Sequence, residues 1–141
     1  MKKNNYEVSF KDIESYISSE PEVLKKFLKI FLETSREELS LLNTALYQKN
    51  LKNIEQIAYS LKSTYGYFTG SGISEVMDLI SKNSKVDQDI NFATKLLESI
   101  EQQLKQIDLQ VSKYINSQLS FYEKYLKPNK HRQRLSLLSG R

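Results

Sequence analysis

The sequence predicts an all-α protein: an antiparallel up-down-up-down four-helix bundle with a short extra helix at its N-terminus. Three observations predict it. Only four Gly and two Pro punctuate 141 residues, so most of the chain is free of helix breakers. Apolar residues recur at three- and four-residue spacing over long stretches, the period of an amphipathic helix. The stretches are joined by short polar connections, which favour antiparallel neighbours.

The first helix opens at Ser9, a serine cap with Asp12 in the first turn, and places Phe10, Ile13, Tyr16 and Ile17 along it. Ser18-Ser19-Glu20-Pro21 interrupts it; Ser19 is the expected cap of the second helix and Pro21 sits in its tolerant first turn. That helix is expected from about 21 to 47, with Leu24, Phe27, Leu28, Phe31, Leu39, Leu42 and Leu46 inward and Ser35 softening the line. After the turn Gln48-Lys49-Asn50, a third helix is expected over 51–68, turning Ile54, Ile57, Ala58, Leu61 and Tyr65 inward. Thr69-Gly70-Ser71-Gly72 stops it. A fourth, short helix is expected over 73–81, with Ile73, Val76, Met77 and Ile80 inward. Asp89 then caps a continuous last helix over 90–126, with Ala93, Leu96, Leu97, Ile100, Leu104, Ile107, Val111 and Tyr114 inward, ended by Pro128.

One domain is expected over residues 1–126, its core about 9–115, followed by a basic, disordered tail over 127–141. The net charge of +4 belongs to that tail: Lys127, Lys130, Arg132, Arg134 and Arg141 carry +5, so residues 1–126 sum to −1. A nucleic-acid-binding body would show a basic face, and none is evident there. The absence of Cys excludes disulfides and thiol catalysis. No apolar run suits a signal peptide or a membrane span, so a soluble cytoplasmic location is the expectation. No metal-ligand spacing, Gly-rich phosphate loop or Ser-His-Asp set is present, and neither an enzyme nor a cofactor is expected. The adjacent Glu37 and Glu38 read as solvated face.

The most informative stretch is Ile57-Ala58-Tyr59-Ser60-Leu61-Lys62-Ser63-Thr64-Tyr65-Gly66-Tyr67-Phe68-Thr69-Gly70. Glu55, Tyr59, Lys62 and Gly66 fall on one outer helical stripe, bordered by Ser63, while Ile54, Ile57, Ala58 and Leu61 occupy the opposite side. The stretch resembles the signature helix of histidine-containing phosphotransfer (HPt) domains, with Ala58, Leu61, Lys62, Ser63, Thr64, Phe68 and Gly70 in register. The resemblance covers about residues 9–115. It implies the four-helix fold above, a role in two-component phosphorelay signalling, and a receiver domain or histidine kinase as partner. It also implies that Lys62 lies where a lysine offsets phosphoryl charge, and Ser63 where a small residue lets the partner approach.

The position of the phosphorylated histidine holds Tyr59. An imidazole offers a neutral lone pair near pH 7. A phenol, with a pKa of about 10, is protonated there, and an aryl phosphate would be too stable to return its group to an aspartate. The expected function is therefore a pseudo-phosphotransfer module, binding through Glu55, Tyr59, Lys62, Ser63 and Gly66 without carrying phosphate. Two alternatives stand beside it: a working phosphorelay protein whose histidine was substituted, and a scaffold that self-associates through Tyr114, Phe121, Tyr122 and Tyr125 of its last helix. His131, the only histidine, sits in the tail with no scaffold to present it.

Overall fold

The computed structural model describes residues 6–121, with side chains to 117. Those residues form six helices and no strand: α1 (Phe10–Tyr16), α2 (Pro21–Gln48), α3 (Leu51–Thr64), α4 (Ile73–Lys85), α5 (Ile90–Ser99) and α6 (Glu101–Phe121). The all-α expectation holds. No helix among them is long and apolar enough to cross a membrane.

The helices enclose one apolar core. Leu24, Leu28, Phe31, Leu42 and Leu46 of α2 are buried against Ile54, Ala58 and Leu61 of α3, with Ile73, Met77 and Ile80 of α4 and Ala93, Leu97, Ile107 and Val111 of α5 and α6. Phe27, Leu39, Ile57, Val76, Leu96, Leu104 and Tyr114 pack at its margin. Removing this much apolar surface from water is the main driving force for the fold. In space α2 meets α3, α3 meets α4, α4 meets α5, and α6 returns to α2. The α2–α6 seam is held by Arg36, whose Nε and Nη2 donate to Asp108 at 2.7 and 2.9 Å, Nη2 also reaching Ser112 at 3.2 Å. That fork geometry is the strong form of an ion pair. The N-terminal segment is tied down by Gln110, whose amide accepts from the Val8 N–H and donates to the Tyr6 carbonyl.

Several boundaries differ from expectation, each for a local reason. The N-cap of α2 is Glu20, not Ser19, and makes no side-chain cap bond. The residue before a proline is driven to an extended conformation, and Glu20 has φ −75° and ψ 122°. Helix α3 stops at Thr64, four residues early. Beyond it Gly66 N–H donates to Ser63 O and Phe68 N–H to Tyr65 O, both at 3.0 Å, a chain of tight turns. The turns fold Tyr65 and Phe68 back onto Phe31, ring centroids 5.3 and 4.7 Å away. Helix α4 runs on to Lys85, where Lys82 and Lys85 suit the negative end of the helix dipole.

The last helix is not continuous: it breaks at Ile100, between α5 and α6. The Ser99 hydroxyl donates to Leu96 O at 2.6 Å, the carbonyl an unbroken helix would offer to the Ile100 N–H, which turns to Leu97 O instead. Tyr114 is not a free surface aromatic for a dimer. Its ring stacks on Phe10 at 4.1 Å and 7°, docking α1 against α6. The Phe121 side chain, Tyr122, Tyr125, His131 and the basic tail lie outside the described residues.

Candidate functional site

Helix α3 positions the stripe. Asn50 caps it by accepting from the Asn53 N–H at 3.1 Å. The fully buried Ile54, Ala58 and Leu61 fix which side faces the core, and so which side faces out. Two hydroxyls of α4 then pin α3 in register. Ser74 donates to the Lys62 carbonyl at 2.7 Å and Ser81 to the Glu55 carbonyl at 3.1 Å. Small residues at both points let the two backbones come close.

Tyr59 projects from the outer side, 63 % exposed. The Lys62 ammonium lies 5.5 Å from its ring centroid, within cation–π range. Lys62 is also anchored across the helix boundary, its Nζ 3.0 Å from Asp78 Oδ1 on α4. The other oxygen of the same carboxylate meets Lys82 Nζ at 2.9 Å. The Lys82 hydrogen bond, then that of Lys62, holds the Asp78 carboxyl below its ordinary range. Glu55 is partly exposed and Ser63 exposed, both on the same side.

Gly66 is exposed but lies in the turn after α3, not in a helix interior as its place on the stripe implied. A Cβ there would stand 3.2 Å from the Ser63 carbonyl oxygen. The turn itself therefore accounts for the glycine, without an approaching partner. Next to it Tyr67, 36 % exposed, meets Phe27 edge-on at 5.2 Å and Tyr16 at 6.5 Å, giving the stripe an aromatic end.

The sequence reading missed three residues. Asp78 and Lys82 complete the charged group; their i,i+4 spacing was a readable signal, but nothing in the sequence joins them to Lys62. Glu38 is not solvated face. Its two oxygens accept from the Ser60 and Thr64 hydroxyls, the latter at 2.7 Å, on the flank of α3 that faces α2.

A phenol hydroxyl offers one hydrogen-bond donor and an ammonium offers charge, and no imidazole stands among the described residues. Comparison with family models, characterised proteins and solved structures finds no match for this chain.

Proposed function

We propose that the chain is an HPt-like module of two-component signalling that docks a receiver domain or histidine kinase without carrying phosphate. In this reading helices α2, α3, α4 and the α5–α6 pair are the four members of an up-down-up-down bundle. Its support is the order of contacts: Phe31 and Glu38 meet Phe68 and Ser60, and Ser74 and Ser81 meet Lys62 and Glu55. In each pair the sequence order reverses. A cytoplasmic location goes with such a partner.

The observation that carries the proposal is the exposed phenol of Tyr59, beside Lys62, on the outer side of α3. Ser63, exposed on the same helix, borders the pair. The mechanism is occupancy: the module competes with a phosphate-carrying domain for one receiver face.

The experiment titrates receiver domains from the same genome with the full chain, by calorimetry, and repeats it with Lys62→Glu and Ser63→Trp. Saturable binding weakened at least about tenfold by either change supports the reading, the size expected when a charge or a bulky group opposes a docked surface. In parallel, a radiolabelled phospho-receiver is mixed with the chain. Acid-labile label appearing on the chain, or no receiver bound at all, overturns it.

A further inference from the structure

We propose that Lys62 of α3 and Lys82 of α4, held together by Asp78, form a phosphoryl-reading site at the edge of the Tyr59 stripe. The two ammonium groups leave Asp78 for the dianion borne on the receiver's aspartate, so the phosphorylated receiver is bound in preference to the unphosphorylated one. This inference rests on the docking reading for the source of the phosphoryl group; the anion site itself does not.

Charge is the first argument. Two ammonium groups share one carboxylate, and no other carboxylate among the described residues pairs with either. The trio is therefore left with one surplus positive charge. The second argument is exchangeability. The side chains of Lys62, Lys82 and Asp78 are 42, 72 and 27 % exposed, and exposed ion pairs contribute little to stability. A phosphoryl group presents more charge and three strong acceptor oxygens, so it outcompetes a single carboxylate for the same donors.

Placement is the third. Asp78 keeps the Lys62 ammonium at the Tyr59 ring, 5.5 Å from its centroid, instead of free in solvent. The exposed phenol O–H beside it supplies a neutral donor to a phosphoryl oxygen. Ser63 and Gly66, both small and exposed, leave the approach open. Nothing is transferred: no bond to phosphorus forms or breaks. Asp78 acts as a latch, neutralising part of the site until a stronger anion arrives.

Two arms test this. In the first, the full chain alone is titrated with inorganic phosphate against chloride at matched ionic strength, reading the lysine side-chain and tyrosine ring NMR signals. Saturable shifts at Lys62, Lys82 and Tyr59 are expected, lost in Lys82→Ala. Asp78→Asn should tighten them by about three- to tenfold, since the competing charge is gone. Shifts that match chloride, or that survive Lys82→Ala, overturn the site.

In the second arm the receiver is bound with and without beryllofluoride, which mimics its phosphoryl group. Beryllofluoride should tighten binding by about fivefold or more, and in Lys82→Ala the ratio of the two affinities should fall toward one. Equal affinity for both receiver states overturns the reader and leaves the docking reading standing. Failure to bind the receiver in either state overturns the docking reading, and the anion site then stands or falls on the first arm.

Discussion

The two flanks of α3 put a shared carboxylate to opposite uses. Toward α2, Glu38 accepts from two neutral hydroxyls, Ser60 and Thr64, in part-buried contacts. Toward α4, Asp78 meets two ammonium groups that solvent also reaches. A part-buried acceptor with neutral donors has no ready substitute for them, so it fixes how the helices pack. An exposed ion pair exchanges partners with water, salt or another protein at little cost. One helix thus carries a flank that holds the fold and a flank left to recognise something else, and the residues of each should answer differently to substitution.

The largest difference is expected in the core beneath both flanks. Leu61 is fully buried, and Leu61→Ala should lower the unfolding free energy by about 2–5 kcal/mol through lost burial and the cavity left behind. Tyr59→Ala, two residues away but exposed, should leave the urea midpoint nearly unchanged. Equal losses from the two would break the comparison.

The buried Tyr65 sharpens it with pH. Burial pushes the Tyr65 phenol up to about 12 from an ordinary 10.0. A folded pKa above the unfolded one means that the contribution is fully present below pH 10 and is lost as pH rises toward 12. The loss is about 2–3 kcal/mol for a shift of that size. Denaturant curves between pH 9 and 12 should show it in the native chain and not in Tyr65→Phe. Glu38→Ala comes next. It leaves the part-buried Ser60 hydroxyl without its acceptor, while Thr64 keeps the Ser60 carbonyl, and should cost about 1–3 kcal/mol; Asp78→Ala should change stability far less at neutral pH.

What the sequence made legible follows the same division. The core lines of α2, α3 and α4 could be read because Leu24, Leu28 and Phe31, or Ile54, Ala58 and Leu61, repeat at the helical period, and burial follows that period directly. Helix ends were harder to read. Phe68 keeps the apolar pattern of α3 yet enters the core by a turn, so pattern alone extended the helix too far. The break at Ile100 depends on where the Ser99 hydroxyl points, which spacing does not encode. Glu37 and Glu38 look alike in sequence, but adjacent helical residues face about 100° apart, so one meets solvent and the other meets α3. The Tyr59 stripe was legible as a surface. Its charge balance was not, because Asp78 joins Lys62 only through the packing of α4 on α3.

The smallest effect expected concerns that charge balance. Hydrogen bonds from Lys82 and then Lys62 hold the Asp78 carboxyl below its usual 3.8. A depressed folded pKa contributes stability that is present above the unfolded value and disappears as pH falls through the folded one. The native chain and Asp78→Asn should therefore differ slightly at pH 5 and converge below pH 4, and added salt should narrow the difference at pH 5 by screening exposed charges. A difference that persists at pH 2, or that ignores salt, would mean that Asp78 supports the packing of α3 on α4 as Glu38 supports that of α2. The outer flank would then be a second structural seam, with no latch to release.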